Sequence, residues 1–123
     1  LKEELDCMEP GVALIQETWR KASGESMQIG AWRVHFSGNE NTPRGLGTGI
    51  AVHKSMSVKS WKHVSGRITS IRMQLGKGHM TIMSIYSPCD KTTTARTEDF
   101  YSKIDAEVGD AKNRGDMLIV GGD

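Results

Sequence analysis

Apolar residues recur along this chain with two periods, and the change from one to the other predicts a mixed α/β domain. Leu1, Leu5 and Met8 lie four and three residues apart, one face of a short helix over 1–8 that Glu9-Pro10-Gly11 ends. Residues 12–15 (Val-Ala-Leu-Ile) form a continuous apolar run, as in a strand buried on both faces. Polar Gln16, Glu17 and Thr18 stand at its carboxyl end. Residues 21–28 read as a polar loop. Residues 29–36 alternate, with Trp32, Val34 and Phe36 on one face and Arg33 and His35 on the other, which predicts a strand. A turn-rich loop over 37–43 leads to a glycine-rich strand over 45–52.

Residues 67–75 and 79–86 alternate around Gly76-Lys77-Gly78 and predict a hairpin with a three-residue loop. After a loop over 87–97, Thr97 reads as the cap of a helix whose first turn carries Glu98 and Asp99. Phe100, Ile104, Val108 and Ala111 follow at helical spacing, and Gly115 is its stop. Residues 117–120 form a second continuous apolar run, a buried strand leading into Gly121-Gly122-Asp123. No internal repeat or linker interrupts the pattern, so residues 1–123 read as part of one domain.

A net charge of +1 means that bulk charge announces no nucleic-acid partner; any basic surface has to be local. No stretch approaches the roughly 20 apolar residues of a membrane helix, and no signal peptide opens the sequence. Two cysteines, Cys7 and Cys89, are too few for a disulfide scaffold and read as free thiols of a reducing compartment. The four histidines share no metal-ligand spacing with either cysteine, so a zinc site is not expected.

The chemistry that the pattern offers lies at strand ends. Glu17 follows one short apolar strand and Asp123 follows another. Should those strands be neighbours, the two carboxylates converge at one rim, a donor set suited to Mg²⁺ or Mn²⁺. Taken singly, each reads as a solvated strand-end acid, and the shared context is what makes them a candidate pair. Tyr86 closes the most hydrophobic strand, where a phenol could hold a phosphate oxygen or stand half-buried with its hydroxyl in solvent. The glycines at 45, 47 and 49 do not make a phosphate loop, because no Gly-Lys-Ser/Thr ending or following helix accompanies them; close backbone approach within a sheet explains them better. The basic run Arg44, Lys54, Lys59, Lys62, Arg67, Arg72 and Lys77, with Trp61 among it, suits a phosphate backbone and a stacked base but reads first as a solvated face.

These pieces resemble, in order, the motifs of the endonuclease/exonuclease/phosphatase superfamily. Gln16-Glu17-Thr18 after an apolar strand resembles its metal-binding Gln-Glu-Thr signature. The segment 47–52 looks like its glycine-bearing inner strand, and Ser65-Gly66-Arg67-Ile68 leading to residues 82–88 is similar to its Arg strand and Tyr-Ala-Pro segment. Residues 118–123 look like its Gly-Asp-Phe-Asn strand, ending on the Asp. Gln16-Glu17-Thr18-Trp19, the Gly-Thr-Gly strand and Phe100-Tyr101 look most like the endonucleases of non-LTR retrotransposons and the craniofacial development protein 2-like sequences related to them.

The resemblance implies part of a four-layered α/β sandwich of DNase I-like type, with residues 1–123 its N-terminal part. It also implies a phosphodiesterase activity that nicks DNA, with a phosphatase or lipid phosphodiesterase of the same superfamily, or an inactive remnant or binding module, as the alternatives. Glu17 would be the Mg²⁺ or Mn²⁺ ligand, Tyr86 would position the scissile phosphate, and Asp123 would orient or deprotonate the attacking water. Arg67 would support the site or touch substrate. Cys89 stands where the family often has a substrate-contacting Asn. The family's first strand, its Asn after the Asp, a later Asp and an Asp-His pair have no counterpart here, so the resemblance implies an incomplete active site. A reverse transcriptase domain in the same polypeptide, and a nuclear location, are further implications.

Overall fold

The computed structural model describes residues 1–18, 24–38, 47–88 and 94–123. A first sheet holds β1 (Val12–Gln16), β2 (Glu25–Ile29), β3 (Trp32–Ser37) and β4 (Thr48–His53) in the order β1-β4-β3-β2, antiparallel throughout. A second holds β5 (Val58–Ser65), β6 (Ile68–Leu75), β7 (Gly78–Ile85) and β8 (Met117–Gly122) in that order. Its β5–β6 and β6–β7 pairs are antiparallel, and β7–β8 is parallel. A parallel neighbour needs a crossover, and helix α2 (Thr94–Arg114) provides it. The other helix, α1 (Lys2–Asp6), precedes β1. The protein is thus a mixed α/β structure with two mostly antiparallel sheets.

Three apolar clusters show how these elements stack. Ile50 and Val52 of β4 meet Ile71, Met73 and Ile82 of the second sheet, the core between the sheets. On the far side of the first sheet, Trp32, Val34, Phe36 and Ala51 pack with Leu5 of α1. On the far side of the second, Phe100 of α2 packs on Ile68 and Met83, flanked by Ile104 and Val108. Strand alternation explains this division, since successive side chains point to opposite faces.

The interface between the sheets is not uniform. At one end it is apolar, with Val12 beside Val52 in one sheet and Met73 beside Met80 in the other. At the other end one row of each sheet turns polar. Gln16, Thr48 and Ser37 are register partners in the first sheet, and His63, Thr69 and Ser84 in the second. Thr48 and Thr69, both fully buried, face each other with their hydroxyl oxygens 2.7 Å apart. An unpaired buried hydroxyl costs free energy that a paired one does not. Thr69→Val is therefore expected to cost about 1–2 kcal/mol by orphaning the Thr48 hydroxyl. The double variant with Thr48→Val should recover much of that loss. Urea unfolding of the two variants checks both results.

Several elements differ from the sequence pattern, for identifiable reasons. Residues 25–28, expected in a loop, belong to β2, which pairs with β3 through a turn at Gly30, whose φ is +60°. The strand expected over 29–36 is therefore the second half of a hairpin. The loop at 76–78 is tighter than expected, because Gly78 pairs with Leu75 and leaves Gly76 and Lys77 as the turn. β5 was hidden from the alternation by irregularities of register at Val58/Ser60 and His63/Ser65, which shift the side chains out of period two. α2 begins at Thr94, ahead of the expected cap Thr97. It ends as expected at Gly115, φ +75°. There the Gly115 amide donates to Lys112 O and the Asp116 amide to Ala111 O, the paired bonds of a Schellman stop.

Both continuous apolar runs turn out to be edge strands. β1 is half-buried along its length, and β8 leaves Met117, Ile119 and Val120 exposed. A run of four apolar residues specifies apolar neighbours above and below, and says nothing of whether a further strand lies alongside.

Candidate active site

Three strands deliver their carboxyl ends to one rim of the sandwich. β1 ends into Glu17, β7 into Tyr86, and β8, parallel to β7, into Asp123. β1 and β8 belong to different sheets, so the carboxylates meet across the interface and not along one sheet. The Tyr86 hydroxyl donates a 2.9 Å hydrogen bond to Glu17 Oε1. Asp123 is close enough for its charge to act on the same phenol. Glu17, Tyr86 and Asp123, the residues expected from the sequence, are brought together.

Each of the three is fixed from below. β1 is tied to β7 across the interface: Gln16 Nε2 donates to Ser84 Oγ (3.0 Å), and Ser84 Oγ donates to the Ile15 carbonyl (3.1 Å). Glu17 itself has φ +55°, the only positive value at a non-glycine among the described residues. A side chain held there costs about 1–2 kcal/mol, so the neighbourhood has to impose it. Gly47 is part of that neighbourhood. Its φ is +110°, and a Cβ on it would collide with Thr18 Oγ1, which makes glycine necessary for the segment carrying Glu17 to lie against β4. Gly49 likewise closes on the backbone of β3, where its Cβ would come within 3.1 Å of the His35 carbonyl. The glycines of this strand serve close backbone approach, as the sequence indicated.

Tyr86 is bracketed by Arg67. Its amide donates to the Arg67 carbonyl at 2.9 Å, its carbonyl accepts from an Arg67 guanidinium nitrogen (Nη1) at 3.2 Å, and the guanidinium carbon lies 5.6 Å from the ring centroid. Arg67 positions the phenol. Asp123 is anchored by its own backbone: its amide donates to Ile85 O (3.1 Å), and its carbonyl accepts from Ser87 N (2.6 Å). Gly122, φ +144°, is required before it, since a Cβ there would strike the Ile85 backbone. Cys89, Trp19 and Arg44 lie outside the described residues.

The electrostatics follow from two carboxylates around one hydroxyl. The Tyr86 phenol is pushed above its ordinary range, first by its hydrogen bond to Glu17, then by desolvation and by the charges of Glu17 and Asp123, against a smaller pull from Arg67. At neutral pH it is a proton-bearing donor. Glu17→Gln is expected to bring the phenol's titration back toward the ordinary tyrosine value near 10. A difference absorbance titration against Tyr86→Phe, which removes that component, checks it.

Among the described residues no three His, Cys, Asp or Glu side chains group as a metal cage. Mg²⁺ does not require one, since it commonly takes one or two protein carboxylates and completes its shell with water and phosphate. Glu17 and Asp123 are hard oxygen donors of that kind, at a rim whose charged neighbour on the other side is Arg67. Three members of the basic run are engaged locally. Lys62 pairs with Glu107, Arg72 with Asp116, and Arg67 with Tyr86, while Trp61 stacks on His35 with ring centroids 4.9 Å apart. The sequence placed Gln16 only within the Gln-Glu-Thr segment and gave no role to Ser84, and the bond between them was not foreseen. The available signal was a serine at an inward-facing position of an otherwise apolar strand. No helix of the described residues is long and apolar enough to cross a membrane. Compared with protein-family models, curated proteins and solved structures, the chain matches none.

Proposed function

We propose that this rim is the metal- and phosphate-binding part of a divalent-metal-dependent phosphodiesterase. The architecture would be the DNase I-like sandwich of the endonuclease/exonuclease/phosphatase superfamily, and the substrate DNA, nicked as by the endonucleases of non-LTR retrotransposons. The observation that carries the reading is the meeting of Glu17, Tyr86 and Asp123, each from a different strand end, around one phenolic hydroxyl. The stacking of helix, sheet, sheet and helix accords with it.

Glu17 would hold Mg²⁺ or Mn²⁺, with Asp123 beside it. An ion held there would supply Lewis-acid polarisation of a phosphoryl oxygen. Tyr86, kept protonated, would turn its single proton from Glu17 to a non-bridging phosphate oxygen once that carboxylate holds the ion. Asp123, anchored at the end of β8, accepts the proton of the attacking water, a general-base role. Arg67 holds the phenol in place. Action on chromosomal DNA would place the protein in the nucleus, and a reverse transcriptase domain in the same polypeptide would use the nick as a primer.

The test is nicking of supercoiled plasmid DNA with Mg²⁺, with Mn²⁺ and with a chelator. Metal-dependent relaxation of the plasmid is expected from a polypeptide that also supplies the family's Asp-His pair, and weak or no nicking from residues 1–123 alone. Absence of nicking with either metal, together with no metal-dependent rise in melting temperature, would leave a binding module and overturn the reading. Turnover of inositol phosphates or sphingomyelin without nicking would move the activity to a phosphatase or lipid phosphodiesterase of the same superfamily.

A further inference from the structure

At the opposite end of the strands from Glu17 and Tyr86 the sandwich opens into a cavity of about 290 Å³. Its walls come from β2, β3 and β4, the turn after β4, and the start of β5. Two features set its chemistry. Its floor is apolar, formed by Val52, Met56 and Val58. Its polar lining is cationic or hydrogen-bonding throughout: Arg33, Lys54, His35, His53 and Gln28, with no carboxylate among them.

Neither permanent cation is committed elsewhere. Among the described residues the side chains of Arg33 and Lys54 make no ion pair and no hydrogen bond, whereas Lys62, Arg72, Lys103 and Arg114 each have a carboxylate. The imidazoles are held in place. His35 Nδ1 lies 2.7 Å from Ser26 Oγ, and its ring stacks on Trp61. His53 Nδ1 accepts from the Ser55 amide at 3.2 Å, so the neutral ring carries its proton on Nε2 and is a donor there. The Gln28 amide is tied to Gly30 O at 2.8 Å. Two free cations, the His53 Nε2 donor and an apolar floor describe a site that is complementary to a negative head on an apolar body.

We propose that this cavity binds a small organic anion, its phosphate or carboxylate head at Arg33 and Lys54 and its apolar body on Val52, Met56 and Val58. Arg33 supplies a planar fork that matches either oxyanion, and Lys54 a point charge beside it. The volume limits the ligand to a body of about one ring, at the small end of known ligand cavities. The site does not depend on the phosphodiesterase reading, because it shares no residue with the rim.

Titration of the chain with phenyl phosphate, benzoate, inorganic phosphate and phenol tests it, followed by calorimetry and by the ring resonances of His35 and His53. Phenyl phosphate or benzoate is expected to bind, the tighter of the two identifying the head group, and to shift both imidazoles. Inorganic phosphate and phenol, each lacking half of the complement, should bind at least about tenfold more weakly. Arg33→Gln and Lys54→Gln, changes at exposed positions that leave the core intact, should each weaken the anion about tenfold. Glu17→Gln should leave it unchanged. Binding that survives both cation variants, phenol binding as tightly as phenyl phosphate, or the absence of any binding would overturn the proposal.

Discussion

In a polypeptide that completes the proposed site, replacing Glu17 by Gln is expected to remove metal-dependent nicking while leaving the fold in place. The side chains are nearly isosteric, and Gln still accepts a hydrogen bond from the Tyr86 hydroxyl, which lies 2.9 Å from Glu17 Oε1. The change removes only the negative charge. Loss of an outer hydrogen-bond partner of a metal ligand commonly costs about 10–100-fold in affinity or activity, and loss of the ligand's own charge should cost at least about a hundredfold. Melting temperature without metal should stay near that of the parent, and the rise on adding Mg²⁺ should disappear. Tyr86→Phe should behave differently. It keeps both carboxylates, so the metal-dependent rise survives while nicking falls. If Glu17→Gln nicks as fast as the parent, the carboxylate at this rim has no part in the reaction.

The difference between these two variants follows from how the rim is built. Glu17 and Asp123 come from edge strands of different sheets, while Tyr86 comes from the inner strand β7. The carboxylates therefore keep their spacing only as long as the sheets keep theirs. The polar row beneath them sets that spacing. Gln16 to Ser84, Ser84 to the Ile15 carbonyl, and Thr48 to Thr69 are directional bonds across the interface. Apolar contacts tolerate sliding, whereas hydrogen bonds about 3 Å long do not. A polar end to an otherwise apolar interface is thus what a rim assembled from two sheets requires.

How much of this was legible in the sequence depends on what each signal encodes. Glu17, Tyr86 and Asp123 were legible because each ends an apolar run, and the ends of neighbouring strands lie at one level. Their meeting across two sheets was not, since alternation gives the face of a residue and not the sheet its strand joins. Gly47 and Gly122 stood out as glycines, but the collisions that require them involve Thr18 and the Ile85 backbone, far away in sequence. β2 was missed because its exposed face carries Ser26 and Gln28 and its pairing with β3 is what makes it a strand. The runs 12–15 and 117–120 were read as fully enclosed because apolar content reports burial above and below only. Arg33 and Lys54 appeared as ordinary surface cations, and their isolation from carboxylates is a property of the folded protein.

The largest loss of stability is expected at Asp116, a residue with no prominence in the sequence pattern. Its side chain is 2% exposed and stands at the start of β8. It accepts from Arg72 through two nitrogens at 2.9 and 3.0 Å, from Thr81 Oγ1 at 2.8 Å and from Arg114 Nε at 3.2 Å. One carboxylate, on the residue just before β8, thereby joins β6, β7 and the end of α2. Removing one partner of a buried charge network leaves the others desolvated and unpaired. Asp116→Ala should lower the melting temperature by about 10 °C or more. Replacing the pair together, Asp116→Leu with Arg72→Met, should recover part of it, because the more buried cation leaves with the carboxylate and the Arg114 guanidinium that remains is exposed enough to be hydrated.

The pH dependence has a definite sign. Hydrogen bonds from Arg72 first, then from Thr81 and Arg114, hold the Asp116 carboxyl well below the usual carboxylate range, against desolvation. A group whose folded pKa is depressed contributes stability above its unfolded value, near 4 for Asp, and loses it as pH falls through the folded value. The protein should therefore weaken steeply below about pH 4, and Asp116→Asn should flatten that limb of the curve. Burial also lowers the pKa values of His35 and His63, which adds a separate decline as pH falls below about 6.5 that Asp116→Asn leaves intact. Because Asp116 fixes the start of the strand that ends at Asp123, acid should take the rim apart from the far end of β8. A variant that unfolds with the parent's full acid slope below pH 4 would show that this network does not hold β8 in place.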